Sequence, residues 1–349
     1  MNTIFIVVLF VIGLLLIIKG GDYLVDSSIW VAKVTGIPEI IIGVTIVSIA
    51  TTLPEVMVSV IAVARGVLAN DVAQLTELSG LAMGNAIGSM LSNLCLSLAI
   101  VLMAKKIITQ NRSFRVKGIS LIIVTLMAYL SVIFDGVLQI WEGIMLLLAF
   151  IVFMAINVIE AKYEMQECKN LREAKLKNLS AEECQIEIKK IKDVEKENPV
   201  KMIVMFLVGA LGIGIGAWLL VEYGQAIAGL LKVPAQVIGV TIVAIGTGLP
   251  ELVTSLTSLK KGKANLGIGN IIGANVINST LLLGLIAVIS GKGLVIDDIS
   301  RYVGFLVLIL VTLILLIPAI FRKRTYKWQG FAMMGIYIIF ITYNIIVVL

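Results

Sequence analysis

The sequence predicts an all-α polytopic membrane protein of about ten transmembrane helices in two inverted five-helix repeats. Three observations carry this. The chain of 349 residues is 59% hydrophobic and 14% charged, whereas a soluble globule has roughly half apolar and a quarter charged residues. Apolar runs of about 20 residues recur along nearly the whole length, each long enough to cross a bilayer as a helix. Two stretches, Gly43–Glu55 (GVTIVSIATTLPE) and Gly239–Glu251 (GVTIVAIGTGLPE), almost repeat one another at an offset of 196 residues. The short alternating segments of a transmembrane β-barrel are absent.

The spans fall at roughly 3–24, 37–64, 79–104, 117–134, 138–159, 201–221, 234–258, 265–291, 302–321 and 328–348. The first reads as a retained helix, because neither a basic n-region nor a cleavage site accompanies it. Between the fifth and sixth lies a polar stretch with scattered apolar anchors, read as a helical cytosolic linker without EF-hand spacing. The expected plan is a first repeat over 1–159 with its motifs at 43–93, a linker over 160–200, and a second repeat over 201–349 with its motifs at 239–278. An odd number of spans per repeat inserts the second copy upside down, the plan of many secondary transporters.

Basic residues set the expected orientation. With the N-terminus outside, the inner loops carry Lys105, Lys106, Arg112, Arg115 and Lys117, then the linker, then Lys260, Lys261 and Lys263, then Arg322, Lys323, Arg324 and Lys327. The outer loops carry only Arg65, Lys232, Lys292 and Arg301. This contrast places the protein in the cell membrane with both termini outside and the linker cytoplasmic.

Composition also narrows the function. The net charge is +6, but the basic residues sit beside spans, as topology requires, so no nucleic-acid partner is expected. The lipid bilayer and inorganic cations are the expected partners, and no obligatory protein partner is evident. The absence of histidine removes the commonest ligand of catalytic zinc. Cys95, Cys168 and Cys184 match no metal or disulfide motif. No cofactor and no enzymatic activity are expected.

Each duplicated stretch begins as an apolar helix, turns to small and hydroxyl residues, and ends in Leu-Pro-Glu. Pro54 and Pro250 lack an N–H and crowd the carbonyl four residues back, so those of Ala50 and Gly246 lose their donors. The helix is expected to open near Thr51 and Thr247, which a membrane tolerates only around a buried or wet site. Glu55 and Glu251 each bring a carboxylate into hydrocarbon, where ionisable groups mark function by default. Thr51, Thr52 and Thr247 add hydroxyls. The partner segments carry Gly84 and Gly88, then Gly269 and Gly273, whose spacing permits close helix approach. Ser89, Asn93 and Asn278 lie one turn beyond, and Asn85 and Asn270 are placed to brace the packing. Carboxylates, amides, hydroxyls and loosened carbonyls form a hard-cation set, suited to Ca2+ or Na+ and able to take protons.

At these motifs the chain resembles the sodium/calcium exchangers of the calcium/cation antiporter superfamily, of the prokaryotic ten-span type. The resemblance rests on ATTLPE (50–55) with GNAIGSMLSN (84–93), and on GTGLPE (246–251) with GNIIGANVIN (269–278). It implies Ca2+ held by Glu55, Glu251 and the main-chain oxygens of Thr51 and Thr247. It further implies Na+ sites at the Ser48 carbonyl, Thr52 and Ser89 on one flank and at the Ala244 carbonyl on the other, with Asn93 and Asn278 near the middle. Gly248 and Ala274 stand where the family pattern has serines, and Met90 stands where it has asparagine.

The implied function is Na+/Ca2+ exchange by alternating access, extruding Ca2+. An H+-coupled Ca2+ antiporter is the alternative. An intramembrane lipid-phosphate phosphatase is a distant one, disfavoured because neither motif has a basic residue beside its glutamate. A passive channel would conduct without coupling.

Overall fold

The structure, a computed structural model, describes residues 3–69, 72–104, 112–178, 198–230 and 244–348. Its helices are α1 (Thr3–Thr35), α2 (Glu39–Leu68), α3 (Gln74–Ala104), α4 (Arg112–Ile133), α5 (Ile140–Asn178), α6 (Pro199–Leu230), α7 (Ala244–Lys260), α8 (Ala264–Ile289), α9 (Ile299–Phe321) and α10 (Lys327–Val348). Among the described residues, eight are long and apolar enough to cross a membrane: all but α7 and α10. The expected seventh span begins at 234, outside the described residues, which take it up at Ala244. Pro234, Lys232, Lys105, Lys106, Cys184, Gly239–Val243 and linker residues 179–197 also lie outside them.

The chain is helical apart from one short ribbon, in which Val137–Leu138 (β1) pairs antiparallel with Leu294–Val295 (β2). Most helices run past the expected spans. The first reaches Thr35, where Gly36 at φ +75° stops it and Pro38 follows, the usual glycine-then-proline ending. The fifth extends to Asn178, so Glu160 and the start of the expected linker are helical.

α2, α3, α7 and α8 form the middle of the bundle. α2 packs on α3 and α7 on α8, and the two pairs pack on each other. α1 and α6 lie together against this centre, with Gly13 and Gly20 facing Gly216 and Gly209. A Cβ at Gly20 would sit 2.7 Å from the Gly209 carbonyl oxygen. Such backbone-to-backbone approach is what small residues permit in membrane helices.

The loops sort onto two ends of the bundle. At one end Lys261 reaches Asp26 at 2.8 Å and Lys263 reaches Glu39 at 2.5 Å. At the other lie the β-ribbon and Arg301, whose Nη2 donates to the Ile133 carbonyl at 2.6 Å.

Candidate cation site

Ser48, Thr51, Thr52 and Glu55 follow i, i+3, i+4, i+7 spacing and so share one face of α2. Ala244, Thr247, Gly248 and Glu251 repeat that spacing on α7. Asn85, Ser89 and Asn93 line α3 at every fourth residue, as Asn270, Ala274 and Asn278 line α8. The packing of α2, α3, α7 and α8 turns these faces inward. Glu55, Glu251, Thr51, Thr247, Ser48, Ser89, Asn93 and Asn278 are wholly inaccessible to solvent, and Thr52 nearly so.

Hydrogen bonds join the two halves with near-twofold symmetry. The Thr51 hydroxyl donates to Asn270 Oδ1 at 3.1 Å, and the Thr247 hydroxyl donates to Asn85 Oδ1 at 3.1 Å. Asn85 Nδ2 donates to Ser59 Oγ at 2.9 Å and to the Glu55 carbonyl at 3.3 Å. Asn270 Nδ2 donates to Thr254 Oγ1 at 2.8 Å. The two asparagines are therefore braces that hold each glutamate-bearing helix to the opposite pair. Ser89 lies 3.2 Å from Thr247, oxygen to oxygen. The Thr52 hydroxyl donates to Glu251 Oε1 at 3.3 Å.

What remains unpartnered is equally informative. Both carboxylate oxygens of Glu55, Oε2 of Glu251, and both amide atoms of Asn93 and of Asn278 are buried without a hydrogen-bond partner. The two glutamates are also electrostatic neighbours. A buried acceptor left unpaired costs about 1–3 kcal/mol, more if charged, so converging carboxylate and amide oxygens fit a cation far better than an apolar core.

Two expectations need correction. The helices do not break at the prolines: α2 runs unbroken through Pro54, and α7 through Pro250. A proline removes one N–H only, so the neighbouring turns stay bonded while the carbonyls of Ala50 and Gly246 lose their donors. The irregularity lies elsewhere, in π-helical turns over Gly43–Val47, Asn93–Leu98 and Asn278–Leu282. Two of these begin at the matched asparagines, and π-turns concentrate at functional sites. The second correction concerns close approach. A Cβ at Gly273 would lie 2.5 Å from both Ser48 Oγ and the Val44 carbonyl, and one at Gly269 would overlap the Ile40 carbonyl. At Gly84 no described atom lies within 4 Å of such a Cβ. The stretch matching Gly43–Val47 in the second half is outside the described residues.

The departures from the motif have structural consequences. Gly248 leaves room for α3, since its Cβ would sit 3.3 Å from Ser92 Oγ and 3.8 Å from Asn93 Oδ1. Met90 brings a sulfur that accepts from Ser279 Oγ on α8 at 3.0 Å; its main-chain carbonyl, which any residue there would offer, accepts from Asn275 Nδ2 at 3.2 Å, and Asn275 Oδ1 is left buried without a partner. Thr254 and Ser59 were not singled out as site residues, although each lies one turn beyond its glutamate on a polar face. Ala244 is helical, the first described residue of α7, and Ser48 Oγ is spent on the Val44 carbonyl at 2.5 Å.

The sodium/calcium exchanger protein family model matches residues 5–159 and 201–346. The chain belongs to that family. Among its relatives, the inner membrane protein YrbG of Escherichia coli is 31% identical over 308 residues, covering 88% of this chain and 86% of that one. The sodium/calcium exchanger MaX1 of Methanosarcina acetivorans is 27% identical, covering 95% of each. The solved sodium-calcium exchanger NCX_Mj, soaked with 10 mM Na+ and zero Ca2+, superposes with a TM-score of 0.78 at 26% identity, over 98% of this exchanger and 99% of that chain. The family is one of transporters, and the ten-helix inverted plan fits it.

Proposed function

We propose that this chain exchanges Na+ for Ca2+ by alternating access, extruding Ca2+ from the cell. The observation that carries this is the meeting of Glu55 and Glu251, one from each half, fully buried and with carboxylate oxygens unpartnered. Ca2+ is held between those carboxylates and the main-chain oxygens of Thr51 and Thr247. Na+ uses the Ser48 carbonyl, Thr52 and Ser89 on one flank and the Ala244 carbonyl on the other, with Asn93 and Asn278 between. Because both ions share the glutamates, they cannot be bound together at full affinity, and that competition couples their movement.

The repeats run over 1–159 and 201–349 about the 160–200 linker, with the linker cytoplasmic and both termini outside, as the basic residues favour. The end of the bundle holding Lys261 and Lys263 is then the inner one. α1 and α6, which pack on each other and against α2 and α7, are the elements whose rocking opens the site to either side. No residue of the site acts as a catalyst.

Purified protein in liposomes tests this. An outwardly directed Na+ gradient should drive Ca2+ uptake, and a pH gradient alone should not. Uptake driven equally well by pH would replace Na+ with H+ as the counter-ion.

A further inference from the structure

We infer that two ion pairs latch the site from opposite ends of the bundle, Asp26 with Lys261 at the inner end and Glu222 with Arg65 at the outer end, and that they form alternately as the protein cycles. The inference rests on the alternating-access reading above and names the contacts that bias it.

The repeat is the first observation. The offset of 196 residues that maps Glu55 onto Glu251 also maps Asp26 onto Glu222 and Arg65 onto Lys261, without a gap. Each pair therefore links the helix before one motif to the C-terminal end of the other motif helix, α1 to α7 and α6 to α2. Inversion of the repeats puts the two pairs at opposite ends. Only the inner one is closed here. Lys261 Nζ lies 2.8 Å from Asp26 Oδ1 and donates to the Asp22 carbonyl at 3.4 Å, while Thr257 Oγ1 donates to Asp22 Oδ1 at 3.4 Å. Arg65 and Glu222 are exposed and, among the described residues, form no ion pair.

Packing at matched positions is the second, independent observation. α1 covers α7 closely: a Cβ at Gly21 would lie 2.8 Å from Val253 Cγ1, and Thr257 is only 9% exposed. The matched positions on α2, Met57 and Ile61, are 58% and 43% exposed. The outer half of α2 is thus not covered by α6 as α7 is by α1. The halves hold inequivalent conformations, and exchanging them between inverted repeats produces the opposite-facing state. In that state Glu222 meets Arg65 as Asp26 meets Lys261 here. A partly exposed ion pair shifts an equilibrium by at most about fivefold, which suits a contact that breaks once in every cycle.

Charge reversal in the full chain tests this, with Na+-driven Ca2+ uptake into liposomes as the readout. Arg65→Glu and Glu222→Arg should each slow uptake by about fivefold. The double reversal should return it to within about twofold of the wild type. Single effects that simply multiply would overturn the inference, because residues unpaired in this state can be coupled only through another. A second measurement needs no transport. In Arg65→Cys with Glu222→Cys, oxidation should hide both new thiols from a maleimide label, whereas each single variant keeps its own thiol open. Thiols that stay open in the double variant would overturn the alternating latch. Wild-type protein without Na+-driven uptake would overturn the exchange reading, and the thiol measurement would still decide the latch.

Discussion

Thr52 on α2 donates its hydroxyl hydrogen to Glu251 Oε1 on α7 at 3.3 Å. The bond crosses between the two halves of the molecule, so the hydroxyl expected to serve one flank also orients the carboxylate of the other half. Thr52→Val keeps the shape and removes the donor, leaving a buried carboxylate oxygen unpaired at a cost of about 1–3 kcal/mol. The apparent Na+ affinity in driven uptake should fall by roughly tenfold or more, with a smaller change for Ca2+. Unchanged Na+ dependence would remove Thr52 from the site.

The Asn85 and Asn270 braces should behave as a matched pair. Each gives its amide to a hydroxyl on one neighbouring helix and accepts from a threonine on another. Replacing either with alanine strands buried partners, so thermal unfolding in detergent should show a loss of about 1–3 kcal/mol for each. Asn93→Ala, where both amide atoms lack a protein partner, should cost less stability and more ion affinity. Equal stability losses at the three positions would contradict this division between braces and ligands.

Helix approach gives a sharper contrast. Gly269→Ala drives a methyl into the Ile40 carbonyl, whereas Gly214 has no described atom within 4 Å of a Cβ. The yield of folded protein, followed by size-exclusion chromatography, should collapse for Gly269→Ala. It should hold or improve for Gly214→Ala, because alanine is the better helix residue by about 1 kcal/mol.

Away from the site, Lys117 on α4 is buried and paired with Glu160 on α5. Glu160→Gln strands the ammonium and should destabilise by about 3–5 kcal/mol. The double change Lys117→Met with Glu160→Gln should recover much of that loss in the same unfolding assay, since an apolar replacement removes the buried charge.

Much of this was legible in the residues. The hydropathy of the spans marked the helices, and helical spacing fixed which residues of each motif share a face, but that Glu55, Glu251, Asn93 and Asn278 meet followed only from the resemblance to the exchanger family. The continuity of α2 through Pro54 was not legible. Proline marks a lost donor, but whether a helix opens there depends on its neighbours. Nor was the Thr52–Glu251 bond, which depends on how α2 and α7 cross rather than on spacing along either. The π-turns at Asn93 and Asn278 had only the matched asparagines as a signal, and a motif cannot say that the backbone widens there. Thr254 escaped notice because its partner Asn270 lies on another helix.

The most direct test of the account is Ca2+ binding to the purified protein by isothermal titration calorimetry, with and without Na+, in the wild type and in Glu55→Gln and Glu251→Gln. The wild type should bind one Ca2+ per chain and release it as Na+ is raised. Each variant should lose affinity by about a hundredfold, near the low end of the 2–5 kcal/mol cost of breaking a buried charge pair. Full-affinity, Na+-displaceable Ca2+ binding in either variant would contradict a centre shared by both glutamates.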